Sequence, residues 1–385
     1  MTFIRVLIVP NPLSNFSSKL GASQKDVTSG RPDRASETPL SRTRVVRDPG
    51  KCAVFLNARA KGWTGELHHD IQRFVSPQDL FLSDDFRQAD RTVDRLLAAG
   101  YEAIFTGGGD GTICYLMSAI EKRIRDGKIS REEAPPVGVL RMGTGNAIAS
   151  FVGAGEVSED LRALRAGAPL VVHEVDMLQG PHVLPDDDGL YPFAGVGWDA
   201  EVLNGYEWFK DVVHGTAVEN YATGLGGYVA SLAHTIPKTM RQEPVHVVIK
   251  NTGQRAMQLD VAGNILRRFE PGETIFDGNI SVCAAATIPF WGFKIRIFPR
   301  AAQYPGLAHL RAYDGSVPWI LRNLPNFWKG KFRPEDIYDF LIESVSLTVR
   351  GRDMPYQVAG DGVGYASEIE WGVAPSPVRL AVPMR

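Results

Sequence analysis

The stretch Ile104–Ile120, IFTGGGDGTICYLMSAI, decides how the rest of the chain is read. An apolar run ends in Gly107, Gly108 and Gly109; then come Asp110, Gly111, Thr112 and a helix-like pattern. Strand, glycine turn and helix in that order place unpaired backbone N–H groups at a helix N-terminus, where the helix dipole favours an anion. Glycine removes the side chains that would hold a phosphate away from the backbone. Thr112 adds a hydroxyl donor. Asp110 is the odd member, because a carboxylate beside a phosphate is repulsive unless a magnesium ion or a hydroxyl proton lies between them. Its presence therefore points to phosphoryl transfer rather than simple phosphate holding. The loop is neither a P-loop, which ends in Gly-Lys-Ser/Thr, nor a Gly-x-Gly-x-x-Gly dinucleotide turn. The plainer alternative is a glycine-rich turn whose aspartate caps the helix.

A second loop counts against that alternative. VGVLRMGTGNAIA repeats the same grammar about thirty residues later, with Gly143, Thr144, Gly145 and Asn146 as the bare and small polar positions. Neighbouring parallel strands put both loops at the carboxyl edge of one sheet, where such folds bind ligands. Further strands are expected at Ala53–Leu56, in DLFLS and in YEAIF. Helical patterns fall between them; in FRQADRTVDRLLAAG, Phe86, Ala89, Val93, Leu96 and Leu97 recur at helical spacing before Gly100. Strands alternating with helices predict a parallel sheet covered on both faces. Beyond about residue 175 the pattern changes to short β-like runs, from EVDML through FKIRIF to PVRLAVP, interrupted by a helical YATGLGGYVASLAHTI. That change predicts an antiparallel second domain. The expected division is a disordered tail over 1–50, an α/β domain over 51–175 and a β-rich domain over 176–385.

Bulk properties narrow the function. The chain has 385 residues, 44% of them hydrophobic, and a formal net charge of −2. There is no basic stripe, so a nucleic-acid partner is not expected. Cys52, Cys114 and Cys283 lie far apart, with neither metal-ligand spacing nor a disulfide framework. That suits a reducing cytoplasm. No apolar run reaches the roughly 18–20 residues of a membrane helix.

At its glycine loops the sequence resembles the diacylglycerol kinase catalytic family, which takes in bacterial lipid kinases and sphingosine and ceramide kinases and is distantly related to NAD kinases. GGGDGT at Gly107–Thr112 is similar to the family's nucleotide motif. RMGTGNAIA resembles its Pro-x-Gly-Thr-x-Asn motif, with Arg141 in the proline's place. FLNARAKG resembles the first nucleotide loop, keeping Asn57, and Ser83 stands where the family often has a nucleotide-contacting Thr. FAGVGWDAEVL resembles the Gly-Phe/Trp-Asp-Ala segment that opens the second domain. The resemblance implies a Rossmann-like three-layer α/β domain that binds ATP, then a C-terminal antiparallel β-sandwich, with lipid entering the cleft. It implies nucleotide contacts from Asn57, Ser83, Thr106, Gly107, Gly108, Gly109, Asp110, Gly111, Thr112, Gly143, Thr144 and Asn146.

The sequence departs from that family at two places. The late Asp-Gly-Glu motif, whose acid faces the ATP site, reads here as QVAGDGVG. Aligned on its flanks, Ala359 replaces the Asp and Asp361 replaces the Glu. Asp361 is then expected to act as the general base for the lipid hydroxyl or to help hold Mg2+, and Asp110 to orient Mg2+ or the acceptor. The plainer alternative makes Asp361 a turn residue. Where bacterial relatives carry an Asp-Gly-Leu for a structural Mg2+, this chain has YPGL at Tyr304–Leu307, so that structural site is expected to be missing. Catalytic Mg2+ remains expected, because the ATP phosphates bring most of its ligands.

The reading is an ATP- and Mg2+-dependent lipid kinase that phosphorylates a diacylglycerol-like hydroxyl and yields a monoester such as phosphatidic acid. It is expected in the cytoplasm, in transient peripheral contact with the inner membrane face; NFWKGKFRPED, with Trp328, Lys329 and Lys331, is one candidate for that contact. Two rivals stand beside it: a kinase of a soluble acceptor, as in NAD kinases, and a nucleotide- or lipid-binding homologue without turnover. Oligomeric state and the identity of the lipid are left open.

Overall fold

The computed structural model describes residues 42–57, 65–83, 86–143, 145–213, 244–291, 294–316, 318–319, 322–323, 326 and 337–385. The expected tail up to residue 41, the helical stretch near 221–236 and most of NFWKGKFRPED lie outside these residues.

In chain order the first part comprises β1 (Thr43–Val46), β2 (Cys52–Asn57), α1 (Gly65–Phe74), β3 (Leu80–Ser83), α2 (Phe86–Ala98), β4 (Ala103–Gly108), α3 (Asp110–Arg125), β5 (Val137–Arg141), α4 (Ala147–Val152), α5 (Val157–Arg165) and β6 (Leu170–Val175). Strands β2, β3, β4 and β5 are parallel, with β4 central to β2 and β5. They read as continuous apolar runs because both faces are covered. In β2, Ala53 and Phe55 pack on one side with Val93, Leu96 and Ile113, from α2 and α3. Val54 and Leu56 pack on the other with Ile71 and Leu161, from α1 and α5. The result is the three-layer α/β arrangement.

The remainder is β-rich: β7 (Leu178–Leu184), β8 (Asp187–Tyr191), β9 (Phe193–Gly197), α6 (Trp198–Val213), β10 (Val245–Asn251), β11 (Ala256–Leu259), β12 (Ile265–Phe269), β13 (Thr274–Ile280), β14 (Val282–Ala286), β15 (Ala308–Tyr313), β16 (Ile337–Ile342), β17 (Ser344–Val349), β18 (Met354–Val358), β19 (Asp361–Ala366), β20 (Glu368–Val373) and β21 (Val378–Pro383). These strands, β21 apart, form a six-stranded sheet, β13-β10-β17-β20-β7-β8, and an eight-stranded sheet, β12-β11-β16-β15-β14-β9-β18-β19. Both are antiparallel throughout. Apolar residues of the two sheets, such as Val247 and Leu347 with Leu310 and Phe340, share one core.

Two strands of the first sheet come from outside residues 51–175. The order is β1-β6-β21-β5-β4-β2-β3. Thr43–Val46, placed by the sequence in the tail, pairs antiparallel with β6. Val378–Pro383, placed in the second domain, runs parallel to β5 and antiparallel to β6. Both edges it fills would otherwise carry unpaired backbone groups. One expected strand does not form: the described part of FKIRIF is irregular. Lys294 turns the chain at φ 59°, the Trp291 N–H donates to the Ile295 carbonyl, and Pro289 and Pro299 flank the segment. Its Phe298 is nonetheless buried in the core.

Candidate active site

Strands β2 to β5 run the same way, so Asn57, Ser83, Gly108 and Arg141 end them at one edge. Asn57 and Ser83 are direct partners in the register. The glycine loop leaves β4 there and enters α3 with Gly109 as its N-cap. The three glycines differ in what a side chain would meet. A Cβ on Gly107 would collide with the Met142 sulfur and with Leu56 Cδ2, and one on Gly108 with the Thr112 side chain. A Cβ on Gly109 would meet nothing within 4 Å. Gly107 and Gly108 are thus required by packing, while Gly109 keeps an accessible stretch of backbone bare.

The second loop is pressed against the first. A Cβ on Gly143 would come 2.6 Å from Gly109 Cα and 3.0 Å from the Gly108 carbonyl oxygen. Asn146, left-handed at φ 51°, folds its carboxamide back onto Gly143, accepting that residue's N–H at 2.9 Å and donating to its carbonyl. Asn146 therefore shapes the loop. Thr144 lies outside the described residues. Thr106 is fully buried in β4, and its hydroxyl has no hydrogen-bond partner among the described residues.

Asp110 is held by backbone amides at both of its carboxylate oxygens. Its Oδ2 accepts the Ala147 N–H at 2.9 Å and its Oδ1 accepts the Ile148 N–H at 3.0 Å. Both carboxylate oxygens are thus engaged by the first turn of α4, whose amides have no helical partner of their own. Burial pushes its carboxyl above the usual range, and the two amides pull it back only in part. Asp110 ties the two glycine loops together, and the expected metal-orienting role would have to share oxygens already committed to amides.

Asp361 takes the exposed position instead. Strands β18 and β19 pair Val358 with Asp361, leaving Ala359 and Gly360 as a two-residue turn at φ 52° and 88°. Positive φ at both positions is the type I′ geometry that matches strand twist. The Ala359 N–H is pinned to the Phe193 carbonyl at 3.0 Å. The turn delivers Asp361 to the first turn of α3: its Oδ2 lies 3.3 Å from where a Cβ on Gly111 would sit. Cys114, one turn further along, has its thiol pushed well up, first by burial and then by Asp110 and Asp361. The turn residue of the plainer reading is therefore Ala359–Gly360, and Asp361 faces the glycine loop.

Sequence reasoning passed over Asp199 and Gln357. Both are buried, at the start of α6 and in β18. Burial pushes the Asp199 carboxyl up to about 6, against the Ala200 and Asp199 amides and the Gln357 side chain. The GWDA motif singled out the segment, and only the fold shows which groups its aspartate meets. Tyr304–Leu307 was likewise read without a carboxylate. Asp176, from elsewhere in the chain, reaches this loop and accepts the Gly306 N–H at 2.8 Å.

The donor set fits a nucleotide phosphate chain approaching the bare backbone at Gly109 and Gly111. Among the described residues no three His, Cys, Asp or Glu side chains cluster as a metal cage. A magnesium ion there would be held chiefly by phosphate oxygens, with Asp361 as the exposed carboxylate at hand.

Comparison with known proteins agrees with this layout. Residues 51–179 match the model of the diacylglycerol kinase catalytic domain. Over those residues the chain is similar to a diacylglycerol kinase catalytic domain. Diacylglycerol kinase 2 of Arabidopsis thaliana is 34% identical over 94 residues, which are 24% of this chain and 12% of that protein. The match therefore spans about an eighth of that relative's length. Two crystal structures from Bacillus anthracis str. Sterne, both assigned to the diacylglycerol kinases, share the fold. Their TM-scores are 0.55 and 0.51 at 16% and 13% identity, covering 86% of this chain and 96% of each of theirs. Among the described residues no helix is long and apolar enough to cross a membrane.

Proposed function

We propose that the protein transfers the γ-phosphate of ATP to the hydroxyl of diacylglycerol or a related long-chain lipid, giving a phosphate monoester such as phosphatidic acid. The observation that carries this reading is Asp361, a carboxylate presented across the glycine loop at Gly111. Bound ATP would supply the phosphoryl group, and Mg2+ held on its phosphates would neutralise their charge. The chain's own part is positioning. Backbone at Gly109 and Gly111 admits the phosphates, and Asn57 and Ser83 stand at the same sheet edge for the rest of the nucleotide. Asp361 takes the proton from the acceptor hydroxyl as that oxygen attacks, so the attacking group becomes a better nucleophile without free alkoxide. Asp110, tied to α4, holds the two loops in register. Contact with a membrane, transient and peripheral, follows from the acceptor's insolubility.

The test is phosphate transfer from ATP with Mg2+ to a panel of lipids in mixed micelles, using the full chain and Asp361→Asn. Transfer to one lipid class is expected, with turnover at least ~10²-fold lower in the variant. Nucleotide binding with no transfer to any lipid, or equal turnover in the variant, would overturn it.

A further inference from the structure

The hairpin tip that carries Asp361 is not held by its turn alone. Behind it, wholly buried, Gln357 makes two hydrogen bonds. Its Oε1 accepts the Gly360 N–H at 3.0 Å, and its Nε2 donates to Asp199 Oδ2 at 3.4 Å. Gly360 is the residue immediately before Asp361. Asp199 belongs to the first turn of α6, which follows directly from β9. A continuous set of contacts thus runs from α6 through two buried side chains to the backbone beside the exposed carboxylate.

The surroundings are shaped for this pair. Gly195 of β9 lies opposite Gln357 in the register. A Cβ there would meet Ala284 Cβ at 2.9 Å, Gln357 Nε2 at 3.1 Å and Asp199 Oδ2 at 3.2 Å. The missing side chain leaves room for the carboxamide and the carboxylate to meet. The ladder itself is irregular at this place: the register between β18 and β19 shifts between Tyr356 and Gln357. Where regular pairing is interrupted, strand direction is less constrained by the ladder, and side-chain contacts can set it. A buried carboxylate and a buried carboxamide are also costly unless their hydrogen bonds are made, so the pair has a strong preference for one arrangement.

We propose that Asp199 and Gln357 are positioning residues that fix the β18–β19 turn so that Asp361 faces the first turn of α3. The proposal rests on the assignment of Asp361 as the general base of a lipid kinase. It adds that the reach of this short side chain is set from α6, across the sheet, and not from the nucleotide loops. Neither residue touches substrate.

The test separates position from turnover. In the full chain, Gly111→Cys and Asp361→Cys are introduced together, and the rate of disulfide formation between them is measured with and without Gln357→Leu. Asp361 Oδ2 lies 3.3 Å from where a Cβ on Gly111 would sit, so the two substituted side chains face each other and the parent pair is expected to close. Gln357→Leu is expected to slow closure at least ~5-fold. In chains that keep Asp361, Gln357→Leu is expected to lower kcat ~10-fold or more while KM for ATP stays within about twofold, the pattern of an interaction lost in the transition state. Gln357→Glu, of nearly the same shape, sets two carboxylates against each other and should reproduce both effects. Combining it with Asp199→Asn restores a donor opposite an acceptor and should recover most of kcat, which general loosening of the core would not allow. An unchanged closure rate in Gln357→Leu, or no recovery in the exchanged pair, overturns the positioning role. Absence of phosphate transfer in the unmodified chain would instead remove the kinase reading, and the disulfide measurement would still decide whether the pair sets the turn.

Discussion

Gly109 and Gly107 show how two identical residues in one motif can serve different ends. A methyl group on Gly107 has to displace Met142 or Leu56, whereas one on Gly109 enters open space. Gly107→Ala is therefore expected to cost about 1–3 kcal/mol in urea unfolding, the usual range for overpacking. Gly109→Ala should leave unfolding nearly unchanged and weaken ATP binding, read by calorimetric titration. Equal stability losses in both variants would show that the loop packs differently. Asp199 supplies a pH signature. Its folded carboxyl, at about 6, lies above the ordinary unfolded value near 3.9, so the native state binds the proton more tightly. The stability that this confers is present below about pH 4 and is lost as pH rises towards the folded value. Asp199→Asn removes the titration. The unfolding free energy of the unmodified chain, measured against this variant, should therefore fall by up to about 3 kcal/mol between pH 4 and pH 7. A constant difference across that range would place Asp199 in contact with water.

The element that matters most is the hairpin β18–β19. Its turn residues are Ala359 at φ 52° and Gly360 at φ 88°. Alanine bears a Cβ penalty in the left-handed region that Asn and Asp bear less heavily. Ala359→Asn should therefore raise stability by about 0.5–1 kcal/mol, seen as a higher melting temperature, without moving Asp361. A lower melting temperature would mean that the turn departs from type I′. This element also shows how far sequence reasoning extends. GDG announced a tight turn because glycine marks positive φ, but the pattern could not say that the turn lies one residue earlier, at Ala359–Gly360. That placement comes from pairing Val358 with Asp361 and from the Phe193 carbonyl, both set by strands distant in sequence. Asp110 is a parallel case. Its residue type and neighbours suggested chemistry at the phosphates, and its partners Ala147 and Ile148 lie 37 and 38 residues away, beyond any local pattern.

At the scale of the whole molecule, the parallel strands were legible because their apolar runs and glycine exits are local. The sheet's closure was not. PVRLAVP reads like the antiparallel strands before it, and nothing in its composition says that it crosses back to lie between β5 and β6. Pairing of that kind is a property of the ensemble of contacts, formed late in sequence and at large separation. Its energetic weight is considerable. Val378, Leu380, Ala381 and Val382 are all buried, Leu380 and Ala381 completely. At about 1.5–3 kcal/mol for each large aliphatic side chain, Val378, Leu380 and Val382 together contribute ~5–9 kcal/mol, comparable to the whole stability of a typical domain. The strand's loss would also leave β5 and β6 with unpaired backbone groups facing each other. A chain ending at Ser376 is therefore expected to lose its cooperative melting transition, although every residue of the glycine loops and the Asp361 hairpin is retained. The milder Leu380→Ala should fold and lose about 2–5 kcal/mol in urea unfolding, as for other buried Leu truncations. If the shortened chain melted as cooperatively as the full one, the first sheet would have to be complete without its last strand, and the half that carries the glycine loops would be separable from the chain's end.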